Sequence, residues 1–246
     1  MLDFLDGPAR RARLLFILGD LFEAWIGDDA ATDPAPAVAR QLKALAASGV
    51  VISFIAGNRD FLLGDDYCRQ AGMTRLQEPF VFDELSSPVL LMHGDTLCTD
   101  DLAYQRFRRK VRNHQWQRRV LSRPIWWRRM LARLARLISR RQNRNKATAI
   151  MDVNHDAVID CMRTHGISRL IHGHTHRPAI HAVTIDGQPG QRVVLGDWHG
   201  EQGSVARLES GRVELLKVVR SETGEVKFET QAVGHGAPDY SVDSSK

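Results

Sequence analysis

Four short apolar runs punctuate this chain, and each stops abruptly at glycine and a polar residue. Leu14–Leu18 runs into Gly19-Asp20, and Val50–Ile55 into Gly57-Asn58-Arg59-Asp60. Val89–Met92 runs into His93-Gly94-Asp95, and Leu170-Ile171 into His172-Gly173-His174-Thr175-His176. Continuous apolar runs bounded by glycine suit strands buried on both faces. After Pro34 and Pro36, a helix is predicted over Val38–Ala47. Phe80–Leu85 and Pro88–Met92 predict a hairpin around Ser86-Ser87. Val193–Leu195, Ser204–Leu208 and Val213–Val218 predict a second, smaller set of strands with a turn at Ser210-Gly211. The pattern as a whole predicts an α/β fold, a two-sheet sandwich flanked by helices. Residues 221–246 are polar with scattered Gly and Ser, and a disordered tail is expected there.

The polar residues that end the runs are of the types that bind metals. In open α/β sheets, ligands bind beyond the carboxyl ends of the strands. At the end of a strand, side chains two apart point the same way, so His174 and His176 are expected to face one site together, and neutral imidazoles bind divalent first-row metals. Taken singly, each motif has a plainer reading. Gly-Asp after a strand is commonly a turn, Gly-Asn-Arg-Asp can be a turn with a solvated charge pair, and His93 can be a satisfied strand-end histidine. Four such motifs, each closing an apolar run, favour a shared metal site over four separate turns.

Charge is distributed unevenly. Of the 34 Lys and Arg residues, 16 lie in residues 102–146, which hold no Asp or Glu; 18 then face 29 acidic groups in the rest of the chain. The same segment holds Trp116, Trp126 and Trp127. From Ile125 on, Trp126, Trp127, Met130, Leu131, Leu134, Leu137 and Ile138 are interleaved with Arg128, Arg129, Arg133, Arg136 and Arg140, which predicts an amphipathic helix with one cationic face. Three readings stand: a helix packed on the domain with solvated arginines, a nucleic-acid surface, or a membrane-surface helix. Tryptophan beside arginine favours the lipid interface.

The 246 residues suit one domain with an insertion. No run approaches the ~18 apolar residues of a membrane span, and no secretory leader is seen. Cys68, Cys98 and Cys161 lack metal-type spacing and read as reduced thiols of a cytoplasmic protein.

Gly19-Asp20, Gly57-Asn58-Arg59-Asp60, His93 and Gly173-His174-Thr175-His176, in that order, resemble the calcineurin-like metallophosphoesterases. The longer runs Ile17–Asp29, Gly57–Gly64, Met92–Asp101, Ala149–Asn154 and Ile171–Pro178 resemble more narrowly the UDP-2,3-diacylglucosamine diphosphatases of the lipid A pathway. The similarity covers nearly all of residues 4–218. It implies a metallophosphoesterase core in two parts, residues 1–101 and 147–220, with residues 102–146 as a helical cap that holds the acyl chains and meets the membrane.

The resemblance also implies a ligand set: Asp20 bridging two Mn2+ ions, Asn58, His93 and His174 completing one site, and His176 at the other. Asn58 and Arg59 would act on the phosphates as catalytic and substrate contacts. Asp101, Ser139, Asn143, Lys146 and His174 would bind the rest of the substrate. The implied reaction is metal-assisted attack of water on the α-phosphorus of a UDP-diacylglucosamine lipid, giving UMP and the diacylglucosamine 1-phosphate. The implied location is the cytoplasmic face of the bacterial inner membrane, peripherally, with no nucleic-acid partner and no obligate protein partner. The family pattern begins with Asp-x-His, and no Asp-x-His lies upstream of Asp20, so the second metal site is incomplete in this sequence. The expectation is that Met1 is an internal Met of a longer protein. Two other readings remain, a phosphodiesterase of broader specificity and, if the motif is truly deleted, a lipid-binding form without turnover.

Overall fold

The structure is a computed structural model that describes residues 1–85, 87–144, 152–221 and 225–234. The chain divides into two compact units, residues 1–78 with 93–157, and residues 79–92 with 158–246.

In the first unit, β1 (Leu14–Leu18) and β2 (Val51–Ile55) pair in parallel, Leu14 opposite Val51 and Leu18 opposite Ile55; β3 (Thr74–Leu76) pairs in parallel beyond β2. β1 is an edge strand. Its residues are therefore half-buried except Leu18, whereas the run predicted burial on both faces. α1 (Leu2–Asp6) precedes this sheet. α2 (Ala35–Ala47) turns Val38, Ala39, Leu42 and Leu45 inward, the spacing of a helical stripe, and α3 (Asp65–Ala71) packs beside it. The basic segment forms three helices, α4 (Leu102–Val111), α5 (His114–Leu121) and α6 (Ile125–Arg144). Asp101 caps α4 by accepting the Tyr104 N–H at 3.0 Å, and Asn113 caps α5 by accepting those of Gln115 and Trp116.

In the second unit, β4 (Phe80–Phe82), β5 (Val89–Met92), β6 (Arg169–His172), β7 (Ala179–Ile185) and β8 (Gln188–Val194) form one mixed sheet in the order β4-β5-β6-β8-β7. Its three central strands run parallel, and every residue of β5 and β6 is buried, as the apolar runs Val89–Met92 and Leu170-Ile171 predict and as Arg169 and His172 do not. The predicted hairpin is present, with β4 antiparallel to β5; Ser86 lies outside the described residues. α7 (His155–His165) leads from the first unit into the second.

A third sheet, β11-β10-β9, is antiparallel and consists of β9 (Gln202–Glu209), β10 (Arg212–Arg220) and β11 (Val226–Gly234). Ser210 and Gly211, both at positive φ (49° and 78°), make the β9–β10 turn, the backbone that tight hairpins require. Two expectations are corrected here. Val193 belongs to β8 of the mixed sheet rather than to the small set. Residues 226–234, expected within a disordered tail, form an ordered strand, because main-chain pairing to β10 holds an edge strand that buries little side chain. Residues 222–224 and 235–246 lie outside the described residues. Among the described residues no helix is long and apolar enough to cross a membrane.

Candidate metal centre

The turns after β1 and β2 meet backbone to backbone. A Cβ added to Gly19 would lie 2.5 Å from the Gly57 Cα, and one added to Gly57 would lie 2.9 Å from the Asp20 Cγ and closer still to its Oδ1 and backbone nitrogen. Glycine at both positions is what lets the two loops touch. Asp20 then adopts left-handed backbone (φ 55°), unusual for a residue with a side chain and typical of strained functional loops. Its Oδ1 accepts the Arg59 N–H at 2.9 Å.

His93 is buried against this pair. Its Nδ1 sits 2.8 Å from the Leu18 carbonyl and donates to it, so the Nε2 lone pair faces Asp20 Oδ1 at 3.8 Å. A backbone carbonyl on the far ring nitrogen is the usual support of a metal-ligating histidine. One terminal atom of the Asn58 carboxamide lies 3.0 Å from His93 Nε2 and 2.9 and 3.2 Å from the two Asp20 oxygens. As nitrogen, that atom donates to all three. As oxygen, it joins a carboxylate and an imidazole in a convergence of acceptors that a cation would satisfy. Asp20, Asn58 and His93 therefore fit a divalent metal bound by mixed oxygen and nitrogen ligands. Among the described residues no group of three or more His, Cys, Asp or Glu is placed to hold a metal; the third donor here is an amide.

Asp60 ties the two loops together. Fully buried, it accepts the Leu21 N–H through Oδ2 and the Gly57 N–H through Oδ1, both at 2.7 Å. Burial, and then the charge of Asp20, push its carboxyl up to about 6. Arg59 carries its Nε 3.4 Å from Asp20 Oδ2 and pairs through Nη1 with Glu23.

Behind His93, Glu78 accepts the His93 N–H at 2.9 Å and pairs with Arg108, whose Nε also donates to Asp95 at 2.9 Å; the Tyr104 hydroxyl donates to the same Asp95 oxygen at 2.7 Å. Burial lowers the His93 pKa, but the charges of Asp20, Asp95 and Glu78 outweigh it and the net direction is up. Burial raises that of Asp95, but His93, Arg108 and Tyr104 outweigh it and hold the carboxyl far below its ordinary value.

The second unit holds His174 and His176. Strand alternation, the reason for expecting them to face together, ends at His172, the last residue of β6. Both instead lie in the following loop in left-handed backbone, at φ 65° and 53°, with the Thr175 N–H donating to the Gly173 carbonyl at 2.8 Å. Loop conformation sets their direction, which period two does not predict.

Of the expected substrate contacts, Asp101 stands at the start of α4 as its cap. Ser139 and Asn143 belong to α6, but their side chains lie outside the described residues, as does Lys146 altogether. The single cationic face expected of α6 is corrected. Arg128 turns inward and is only 3% exposed, donating to the Arg123 and Ile26 carbonyls and forking onto Asp29. On the opposite side Trp126 (67% exposed), Met130, Leu134 and Leu137 (62%) form an open apolar stripe within roughly 80° of arc, bordered along one side by exposed Arg129, Arg133 and Arg136. Trp127 and Leu131 are half-buried.

Asp60, Glu78, Asp95, Tyr104 and the inward role of Arg128 were not assigned from the sequence. Asp60 and Asp95 stood inside recognised motifs. Glu78 and Tyr104 carried no local signal. Arg128 was legible only from its helical angle, about 160° from the centre of the stripe.

The family model for calcineurin-like phosphoesterases matches residues 2–178. UDP-2,3-diacylglucosamine hydrolases of Escherichia fergusonii and of Escherichia coli (strain K12 / DH10B) are each 50% identical over 218 residues, 87% of this chain and 89% of theirs. A solved structure of a Vps29 single mutant from Entamoeba histolytica aligns over 90% of this chain and 98% of its own at 11% identity, with a TM-score of 0.38. On the family match and the 50% identity, this chain belongs to the calcineurin-like phosphoesterase family.

Proposed function

We propose that this protein hydrolyses the pyrophosphate of UDP-2,3-diacylglucosamine in lipid A biosynthesis, releasing UMP and 2,3-diacylglucosamine 1-phosphate. The observation that carries the reading is the convergence of Asp20, Asn58 and His93 in a chain half identical to hydrolases named for that substrate. The family works with divalent metal, and the mixed ligand set favours manganese. When bound, the metal supplies charge neutralisation at the phosphates and lowers the pKa of water.

The protein's own residues supply the rest. Asp20, Asn58 and His93 would hold the cation in the first unit, and the same reading assigns His174 and His176 of the second unit as further metal ligands. Arg59, beside Asp20 and Glu23, offers a guanidinium to the phosphate oxygens as charge builds at the α-phosphorus. The water oxygen ends on the UMP phosphate, and the bridging oxygen leaves with the sugar phosphate. Asp101 and the α6 residues Ser139 and Asn143, with Lys146, bind the sugar and acyl portion. The same proposal puts the protein peripherally on the cytoplasmic face of the bacterial inner membrane, and what supports it is the open stripe of α6 beside arginines, which suits an anionic bilayer.

The test is UMP release from the diacylated UDP-sugar with and without Mn2+, beside a nitrophenyl phosphodiester. Mn2+-dependent turnover that prefers the lipid supports the proposal. Equal turnover of the simple ester would favour a broad phosphodiesterase, and vesicle binding without turnover a lipid-binding form.

A further inference from the structure

We infer that Arg112, the residue that ends α4, is a positioning residue of the metal centre, so that the basic helical insertion clamps the metal loop as well as meeting substrate. The turn carrying Asn58 divides its main-chain groups between two sides. Its N–H groups point inward: Gly57 to Asp60 Oδ1 (2.7 Å), Asn58 to His93 Nε2 (3.3 Å) and Arg59 to Asp20 Oδ1 (2.9 Å). The carbonyls of Ala56 and Gly57 point the other way, and Arg112 Nη2 donates to both, at 2.9 and 3.1 Å.

A trans peptide holds its C=O and N–H antiparallel in one plane. Fixing the Gly57 carbonyl on the guanidinium therefore fixes the plane of the peptide that enters Asn58, and fixing that of Ala56 aims the Gly57 N–H at Asp60. Arg112 is itself held in place, its Nη2 lying 3.8 Å from both Glu78 and Asp95, the carboxylates that Arg108 joins behind His93. One helix thus reaches both loops, the Asn58 turn through Arg112 and the His93 backbone through Arg108 and Glu78.

This rests on the reading of Asp20, Asn58 and His93 as metal ligands, and the test separates the two. Mn2+ binding to the full chain is measured by electron paramagnetic resonance for the wild type and for Arg112→Ala, Arg112→Lys and Arg128→Ala, with thermal midpoints in parallel. Outer partners of metal ligands typically carry about 10–100-fold in affinity. Arg112→Ala should weaken Mn2+ binding by about that much. Arg112→Lys should fall between, since an ammonium can bridge the carbonyls without the planar fork. Arg128→Ala removes an equally engaged arginine whose partners are Arg123, Ile26 and Asp29 rather than the carbonyls of the Asn58 turn, and should lower the midpoint with Mn2+ affinity unchanged. Wild-type affinity in both Arg112 variants would overturn the inference, as would an equal loss in Arg128→Ala. Absence of Mn2+ binding by the wild type would instead sink the metal reading. If Arg112→Ala does not fold, Arg112→Lys decides alone.

Discussion

Gly57→Ala is the sharpest test of how the centre is built, because the substitution adds one methyl group and no charge. That methyl would sit 2.9 Å from Asp20 Cγ and nearer to the Asp20 backbone nitrogen, where ordinary contacts are about 3.5–4 Å. Rotating the Asp20 side chain cannot relieve a clash with its own backbone, so the two loops must part by roughly 1 Å. Such overpacking costs about 1–3 kcal/mol. Misplacing a reacting group by that distance costs on the order of 10²-fold in rate. Gly166→Ala is the control: no atom beyond its own and the adjoining residues lies within 4 Å of its added carbon, and its φ of 66° alone costs about 1–2 kcal/mol. Both variants should lose a few degrees of thermal midpoint. Only Gly57→Ala should lose Mn2+ affinity and Mn2+-dependent turnover, by about a hundredfold. If Gly57→Ala kept both within about twofold of the wild type, the close approach of the loops would not be what positions Asp20.

Three further outcomes are expected. Asp60 has its folded pKa raised above the unfolded value, so its contribution is greatest below pH 4 and is lost as pH rises through about 6; at about 1.4 kcal/mol per pH unit the loss is about 3 kcal/mol, and Asp60→Asn should remove that slope from metal-free melting curves, a persisting slope arguing for another group. His174→Ala should abolish turnover with the circular dichroism spectrum unchanged, and retained activity would remove His174 from the ligand set. Replacing Trp126, Met130, Leu134 and Leu137 by Ser should release the protein from sedimenting anionic vesicles while its thermal midpoint holds, since these side chains are half or more exposed; unchanged sedimentation would mean the stripe is not the lipid contact.

The sequence by itself determined the four strands that end in the candidate site residues. Leu14–Leu18 and Val89–Met92 became β1 and β5 with those bounds, because continuous apolar runs cut off by glycine have few other solutions. It also determined that Asp20, Asn58 and His93 stand at strand ends, and that an amphipathic helix runs from Ile125 onward, which the structure carries to Arg144. Tertiary structure decided what no local pattern encodes. β11 is ordered by hydrogen bonds to a neighbour rather than by its own hydrophobicity. His174 and His176 take their direction from left-handed backbone in a loop, beyond the reach of strand periodicity. Arg128 has the composition of a solvated residue, yet a partner 99 positions away in Asp29 makes its burial tolerable. Asp60, Glu78 and Arg112 acquire their roles only when separate loops are brought within hydrogen-bonding distance, since a carboxylate or guanidinium is recognisable in sequence but its partner across the fold is not.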